Sequence, residues 1–282
     1  MSEQLERTEL VMPQPATALA GLLGVPVPGL DAGESLPLFW HWCYLLDRPA
    51  QAELGPDGHP VNGGIPTPPG PGRRRMFAGG RIESRAPLVV GQEATRRSFV
   101  SSTTTKHGRS GELTFVTVVN HVQQADVLVL VDEQDIVYRT VAGQLESEAS
   151  RPPADAQPPA EPGPDAIRLT WAADPTLLFR FSALTYNAHR IHYDRDYARD
   201  VEGYPGLLVH GPLQAILMAE CVRALAPARG FRRERFAYRF VAPHFDGGDI
   251  TAWAAPEGGL LKTQVHDAAG AVSAVGQYEF LD

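Results

Sequence analysis

Between Leu178 and Leu213 the chain reads LFRFSALTYNAHRIHYDRDYARDVEGYPGLLVHGPL, which holds three of its 9 histidines. His189, His192 and His210 stand there with one amide, Asn187, and with a Gly211–Pro212 pair that opens an apolar stretch. Imidazole exchanges protons near neutral pH, so this concentration points to acid–base chemistry. A single histidine is more often structural than catalytic; the clustering beside an amide and a helix start is the signal. An amide holds a water by donating and accepting hydrogen bonds, but it cannot act as a base. Proline suits the first helical position, and the unpaired N–H groups of that turn face outward with the helix dipole. The Gly211 N–H is thus placed to stabilise an oxyanion, and a glycine lets a ligand approach closely. The plainer reading of Gly211 is a turn into the helix.

The elements that must position these groups are legible in part. Pro212–Ala226 carries Leu213, Ile216, Leu217, Cys221 and Leu225 at three- and four-residue steps, which predicts a deeply buried helix. Phe236, Tyr238 and Phe240 then alternate with polar partners, and strands are expected near Ile250–Trp253, Leu261–Val265 and Val272–Phe280. In the first half, Ser35 would cap a helix through LPLFWHWCYLL. Strands then follow at Thr95–Thr105, Leu113–Val122 and Val127–Tyr138. A loop rich in glycine and proline, Gly55–Gly72, lies between them, and its length hints at a role over a pocket. Glu146–Asp165 is dominated by proline, alanine and acids and reads as a semi-extended linker. The expected division is therefore residues 1–145, a linker over 146–166, and residues 167–282. A helix followed by strands, twice, describes a double hotdog of the α+β class, with two central helices wrapped by antiparallel sheets. Two unrelated α+β domains would give a similar pattern.

Composition narrows the function classes. A chain of 282 residues with 43% hydrophobic content can bury a sizeable core. Its formal net charge of -8 argues against a general nucleic-acid binder. No apolar run reaches bilayer length, and the start MSEQLERTEL lacks a signal-peptide hydrophobic region, so a cytoplasmic enzyme is expected. Cys43 and Cys221 sit in apolar surroundings and read as core residues; no zinc spacing is present, and no metal is expected.

The segments FRFSALTYNAHRIHYD and YPGLLVHGPL, with RRRMFAGGRI and FWHWCYLLD upstream, resemble the MaoC-like (R)-specific enoyl-CoA hydratases. The match is to their long, two-hotdog branch, which includes hydroxyacyl-thioester dehydratase type 2 and the mesaconyl-C4-CoA and itaconyl-CoA hydratases. In that resemblance His192 matches the catalytic histidine and His210–Gly211 the downstream pair. The family has an acidic residue five positions before the histidine, where this chain has Asn187. The resemblance implies hydration or dehydration of an acyl-CoA thioester, with coenzyme A entering only as part of the substrate and no other cofactor. His192 would transfer the proton, Asn187 would orient the water or the imidazole, and Gly211 would supply the oxyanion donor. Asp194 is the carboxylate that could assist.

Substrate contacts follow the same lines. Arg190 would pair either with a substrate carboxylate or with Asp194 or Asp196. Tyr186 and His210 would line the pocket. Arg73, Arg74 and Arg75 form the compact basic run that suits coenzyme A phosphates, or else a solvated loop. The first half has no Asn-x4-His and is expected to be non-catalytic, shaping the acyl pocket or holding the cofactor. The reaction expected is itaconyl-CoA or mesaconyl-CoA to citramalyl-CoA. A fatty 3-hydroxyacyl-thioester dehydratase, a thioesterase and a non-catalytic acyl-CoA-binding subunit are the rivals. A monomer and a homodimer fit equally.

Overall fold

Runs of β-branched and aromatic residues alternating with polar ones form the strands, and they join in one antiparallel sheet. The structure, a computed structural model, describes residues 4–30, 35–61, 65, 73–108, 111–140, 162–226 and 230–281. The first half supplies β1 (Gln4–Leu10), β2 (Arg73–Ser84), β3 (Glu93–Gly108), β4 (Gly111–Gln124) and β5 (Val127–Thr140). The second supplies β6 (Ile167–Ala173), β7 (Arg233–Phe240), β8 (Gly248–Glu257), β9 (Leu260–His266) and β10 (Val272–Leu281). Their order across the sheet is β1-β3-β4-β5-β2-β7-β10-β9-β8-β6. Read from either edge inward, each half places its first, third, fourth, fifth and second strands in that order, so the halves mirror one another. The expected linker falls mostly on residues 141–161, which lie outside the described residues.

The halves meet where β2 pairs with β7, from Gly79↔Arg239 to Ser84↔Glu234. Two glycines permit that junction. Gly79 has φ +149°, and a Cβ on it would lie 2.4 Å from the Tyr238 carbonyl oxygen. A Cβ on Gly80 would lie 2.2 Å from the Glu133 carbonyl oxygen. Aromatic rings fill the seam: Phe39 stands 5.3 Å from both Phe236 and Tyr238, and Phe77 stands 5.4 Å from Phe240.

The central helix α3 (Gly211–Leu225) lies across β6, β8, β9 and β10, and every residue from Leu213 to Val222 is buried. Two polar residues are carried inside with partners. Gln214 accepts from Ser273 at 2.7 Å, and Glu220 accepts from the Trp40 indole at 2.9 Å while also pairing with Arg223. Two shorter helices, α1 (Pro13–Leu23) and α2 (Pro175–Leu184), each follow an edge strand, each begin with proline, and pack on one another. Cys43 and Cys221 are buried free thiols. Among the described residues no helix is long and apolar enough to cross a membrane.

One expected element is corrected. The helix expected over LPLFWHWCYLL is a single 3-10 turn, Trp40–Cys43. Phe39 and Leu45 adopt left-handed backbone at φ 67° and 54°, so no longer helix can form between them. Ser35 does not cap it; Ser35 bridges Val89. The first half therefore keeps the hotdog strand order while its central helical segment is reduced to one turn. Trp40 from that turn reaches across to α3.

Candidate active site

The site begins at the end of α2. Asp174 caps the helix start, its carboxylate accepting from the Leu177 N–H at 2.7 Å. Beyond Leu184 the chain turns sharply through Tyr186, at φ 53°, and the Asn187 N–H donates back to the Ser182 carbonyl at 2.8 Å. The Asn187 Oδ1 accepts the His189 N–H at 2.9 Å and so shapes this turn. A 3-10 turn, Arg190–His192, then carries His192 inward.

His192 is buried, with its Nδ1 2.7 Å from the Leu208 carbonyl oxygen. A carbonyl only accepts, so Nδ1 carries the hydrogen and Nε2 is left with its lone pair. Burial pushes the imidazole down to about 4, only partly offset by the Leu208 carbonyl. His192 is thus neutral at pH 7 and able to accept a proton. His210, fully buried at the N-terminus of α3, stacks on it with centroids 3.7 Å apart and planes 18° apart. The His210 Nε2 lies 2.8 Å from the Ser182 hydroxyl, and its Nδ1 is buried with no partner among the described residues. Burial, then the neighbouring His192 and His189 rings, lowers its affinity for a proton.

The row of rings does not stop there. His189 lies 5.5 Å from His192 on one side and 4.0 Å from His59 on the other. Burial, followed by the charges of His59, His192 and Arg75, keeps His189 neutral. The His59 Nδ1 is 3.2 Å from Asp57 Oδ2. Burial opposes ionisation of Asp57, yet the hydrogen bonds from the His59 ring and backbone outweigh it and hold the carboxyl below its ordinary value. Four imidazoles thus run from half-buried His59 to fully buried His210, crossing from one half of the chain to the other.

A tight backbone contact fixes that crossing. The Arg190 N–H donates to the Asp57 carbonyl at 2.9 Å, and the Arg190 guanidinium donates to the Pro56 carbonyl at 3.0 Å. Between them, a Cβ on Gly58 would lie 1.8 Å from the Ala188 carbonyl oxygen, and Gly58 has φ +88°. Only glycine fits there. Asp57, His59 and His189 bring three donor atoms within 4.8 Å of one another. Within that group Asp57 and His59 are joined by a hydrogen bond at 3.2 Å, and the positive charge of Arg75 acts on His189.

The residues singled out from sequence are placed as follows. His192, His210 and Gly211 come together, and a Cβ on Gly211 would lie 2.8 Å from the Phe240 ring, so glycine also seats α3 against β7. Asn187 is adjacent but occupied by the local turn. Arg190 makes a two-pronged ion pair with Asp194, at 3.0 and 2.7 Å, and stacks on Tyr197 at 4.1 Å; of its two expected partners the protein carboxylate is the one present. Tyr186 is exposed at the turn. Arg75 lies on β2 with its charge felt at His189; Arg73 and Arg74 open the same strand, and their side chains lie outside the described residues. Asp57, His59 and Ser182 were not singled out. The Asp-Gly-His triplet inside an unusually long loop was the available signal for the first two. Nothing local marked Ser182.

Comparison with known proteins places this chain in a lineage. The chain is 46% identical over 265 residues to a protein of Chloroflexus aurantiacus named mesaconyl-C(4)-CoA hydratase, covering 92% of this chain and 89% of that one. Over 78 residues it is 40% identical to a Schizosaccharomyces pombe mitochondrial protein named hydroxyacyl-thioester dehydratase type 2, covering 27% of this chain and 26% of that one. Among solved structures, a MaoC-like dehydratase of Phytophthora capsici superposes with a TM-score of 0.69 at 19% identity, covering 100% of this chain and 96% of that one. HtdX of Mycobacterium tuberculosis does so at 0.66 and 16% identity, covering 99% and 100%. A further M. tuberculosis protein, described as having a double hotdog fold, matches at 0.54 and 14% identity over 99% and 94% of the two chains. The family model for hydroxyacyl-thioester dehydratase type 2 matches residues 39–246, a span running from the Trp40 turn past the stacked imidazoles to Asp246. By that match, and by its relatedness over nearly its full length to a hydratase, this chain belongs to the hydroxyacyl-thioester dehydratase type 2 family.

Proposed function

We propose that this protein adds water to a 2-enoyl-CoA thioester, and removes it in reverse, with a short dicarboxyl acyl group such as mesaconyl-C4-CoA as substrate and citramalyl-CoA as product. The observation that carries the reaction is the buried His192, whose Nδ1–H is fixed by the Leu208 carbonyl and whose Nε2 lone pair is left over. In hydration, Nε2 takes a proton from water, the water oxygen bonds to the β-carbon, and the double-bond electrons move toward the thioester oxygen. The Gly211 N–H, in the first turn of α3, is the donor toward which that oxygen's charge develops. A second proton must reach the α-carbon. No step needs a metal or redox cofactor, and coenzyme A enters as part of the substrate.

The substrate class rests on the 46% identity to the hydratase of C. aurantiacus. Arg75, the cation acting on the histidine cluster, fits an anionic group on either the acyl chain or coenzyme A. The matches to yeast proteins named hydroxyacyl-thioester dehydratase favour the second reading, a fatty 3-hydroxyacyl thioester. The reading carries with it no nucleic acid, a cytoplasmic setting and a possible homodimer. It is tested by loss of enoyl-thioester absorbance with mesaconyl-C4-CoA, itaconyl-CoA and crotonyl-CoA. Turnover of a dicarboxyl thioester, reduced about 100-fold or more in His192→Ala, is the expected result. Turnover of crotonyl-CoA and longer chains alone would move the substrate to the fatty class. No turnover with any of them would overturn the hydratase reading.

A further inference from the structure

Water addition needs a proton removed from oxygen and a proton delivered to carbon. The segment 178–213 offers His192 for the first. For the second, position 187 is an amide already engaged with the His189 N–H at 2.9 Å, Asp194 is tied to Arg190 and Glu202 to Tyr197, and Asp196 and Asp200 are exposed. The other half of the chain supplies what is missing. Asp57 and His59 form a carboxylate–imidazole pair at 3.2 Å, and the His59 ring stands 4.0 Å from His189, which in turn stands 5.5 Å from His192. His59 remains 23% accessible, whereas His192 is buried. The Gly58 contact with Ala188 and the Arg190 hydrogen bonds to Pro56 and Asp57 hold this loop on the site.

We propose that His59, oriented by Asp57, is the acid of the hydration reaction and that His189 closes the proton circuit. The inference rests on the hydratase reading above. His59 as imidazolium gives its Nε2 proton to the α-carbon as the enolate collapses, while neutral His192 takes one from water. One C–O and one C–H bond form, one O–H and one N–H bond break, and His192 gains the proton that His59 has lost. His189, lying between the two rings, passes that proton back, and the enzyme returns to its starting state. Asp57 is a positioning residue that supplies the counter-charge. Among the described residues the charged and titratable groups around His59 are Asp57 on its own loop, His189 and His192 beyond it, Arg190 and Tyr197 beside the loop backbone, and Arg75 acting through His189. Among these only Asp57 hydrogen-bonds the His59 ring.

The test uses the full chain, hydrating whichever enoyl thioester the wild type turns over, with kcat and KM measured against pH. His59→Gln is expected to lower kcat about 100-fold or more while KM stays within about threefold. An acid must be protonated, so wild-type kcat/KM falls as pH rises through its titration. Asp57→Asn, which keeps the shape and removes the counter-charge, should move that alkaline limb to lower pH. A loop that matters only for structure would lower activity without moving the limb. Wild-type kcat in His59→Gln, or an unmoved limb in Asp57→Asn, overturns the assignment. Loss of wild-type activity to a chelator, restored by zinc, would overturn it in favour of a metal. A wild type that turns over no thioester fails the hydratase reading itself and is recognised before any variant is made.

Discussion

Acid should unfold this protein partly by charging His192, and the size of that effect follows from its surroundings. In the folded chain burial brings this imidazole from an ordinary 6.5 down to about 4. A histidine lowered in this way binds its proton more tightly when unfolded. Its contribution is therefore intact above the unfolded value and is lost as pH falls toward the folded one. Between pH 7 and pH 5 the linkage amounts to about 2 kcal/mol from this one residue. His192→Asn retains a donor where Nδ1 meets the Leu208 carbonyl and removes the titration. Urea unfolding of both proteins at pH 7 and pH 5 gives the comparison, because His189 and His210 are present in each. The wild type should lose about 2 kcal/mol more than the variant over that interval. Equal losses would refute the reasoning that His192 is held neutral by burial, and with it the basis for a free base at neutral pH.

Three further expectations are independent. Gly58→Ala, at φ +88° and 1.8 Å from the Ala188 carbonyl, should displace the loop carrying His59. It should lower kcat at least about tenfold while costing only about 1–2 kcal/mol of global stability by thermal unfolding. Arg75→Ala should raise KM about tenfold with little change in kcat, through loss of a charge-assisted contact. If that contact is to coenzyme A phosphate, the effect should vanish when the acyl group is presented on pantetheine instead. Trp40→Phe removes the indole donor to buried Glu220 and should destabilise the fold by about 1–3 kcal/mol in urea, with the active-site pH profile unchanged.

Where residue type and burial agree, the sequence was readable. The expected helix Pro212–Ala226 is α3, Gly211–Leu225, because its apolar residues are surrounded on all sides. Valine-rich Val127–Tyr138 falls within β5, and the alternation at Phe236 and Tyr238 puts both rings inside from β7. The edge strands were not readable. QLERTEL is charged along its length because β1 has one free edge and holds β3 through ion pairs such as Glu6–Arg97 at 2.7 Å. LPLFWHWCYLL reads as a helix capped by Ser35. Its aromatic rings instead serve the seam between halves, and two left-handed residues break the run. In the site, His192, His210 and Gly211 could be named because they lie in one segment. Asp57 and His59 could not, since their proximity to His189 depends on a strand pairing between halves that no local pattern reveals.

That pairing has a consequence for what counts as one functional unit. If the gene were split within the codons for residues 141–161, each product would carry half of the sheet, the first with His59 alone of the imidazole row and the second with His189, His192 and His210. The first would expose the β2 edge and the Phe39 and Phe77 rings, and the second the β7 edge with Phe236, Tyr238 and Phe240. The two pieces carry complementary edges and complementary rings, so co-expression should reassemble them without a covalent bond. Neither piece alone contains both His59 and His192, which makes recovery of turnover a direct report that the seam has formed.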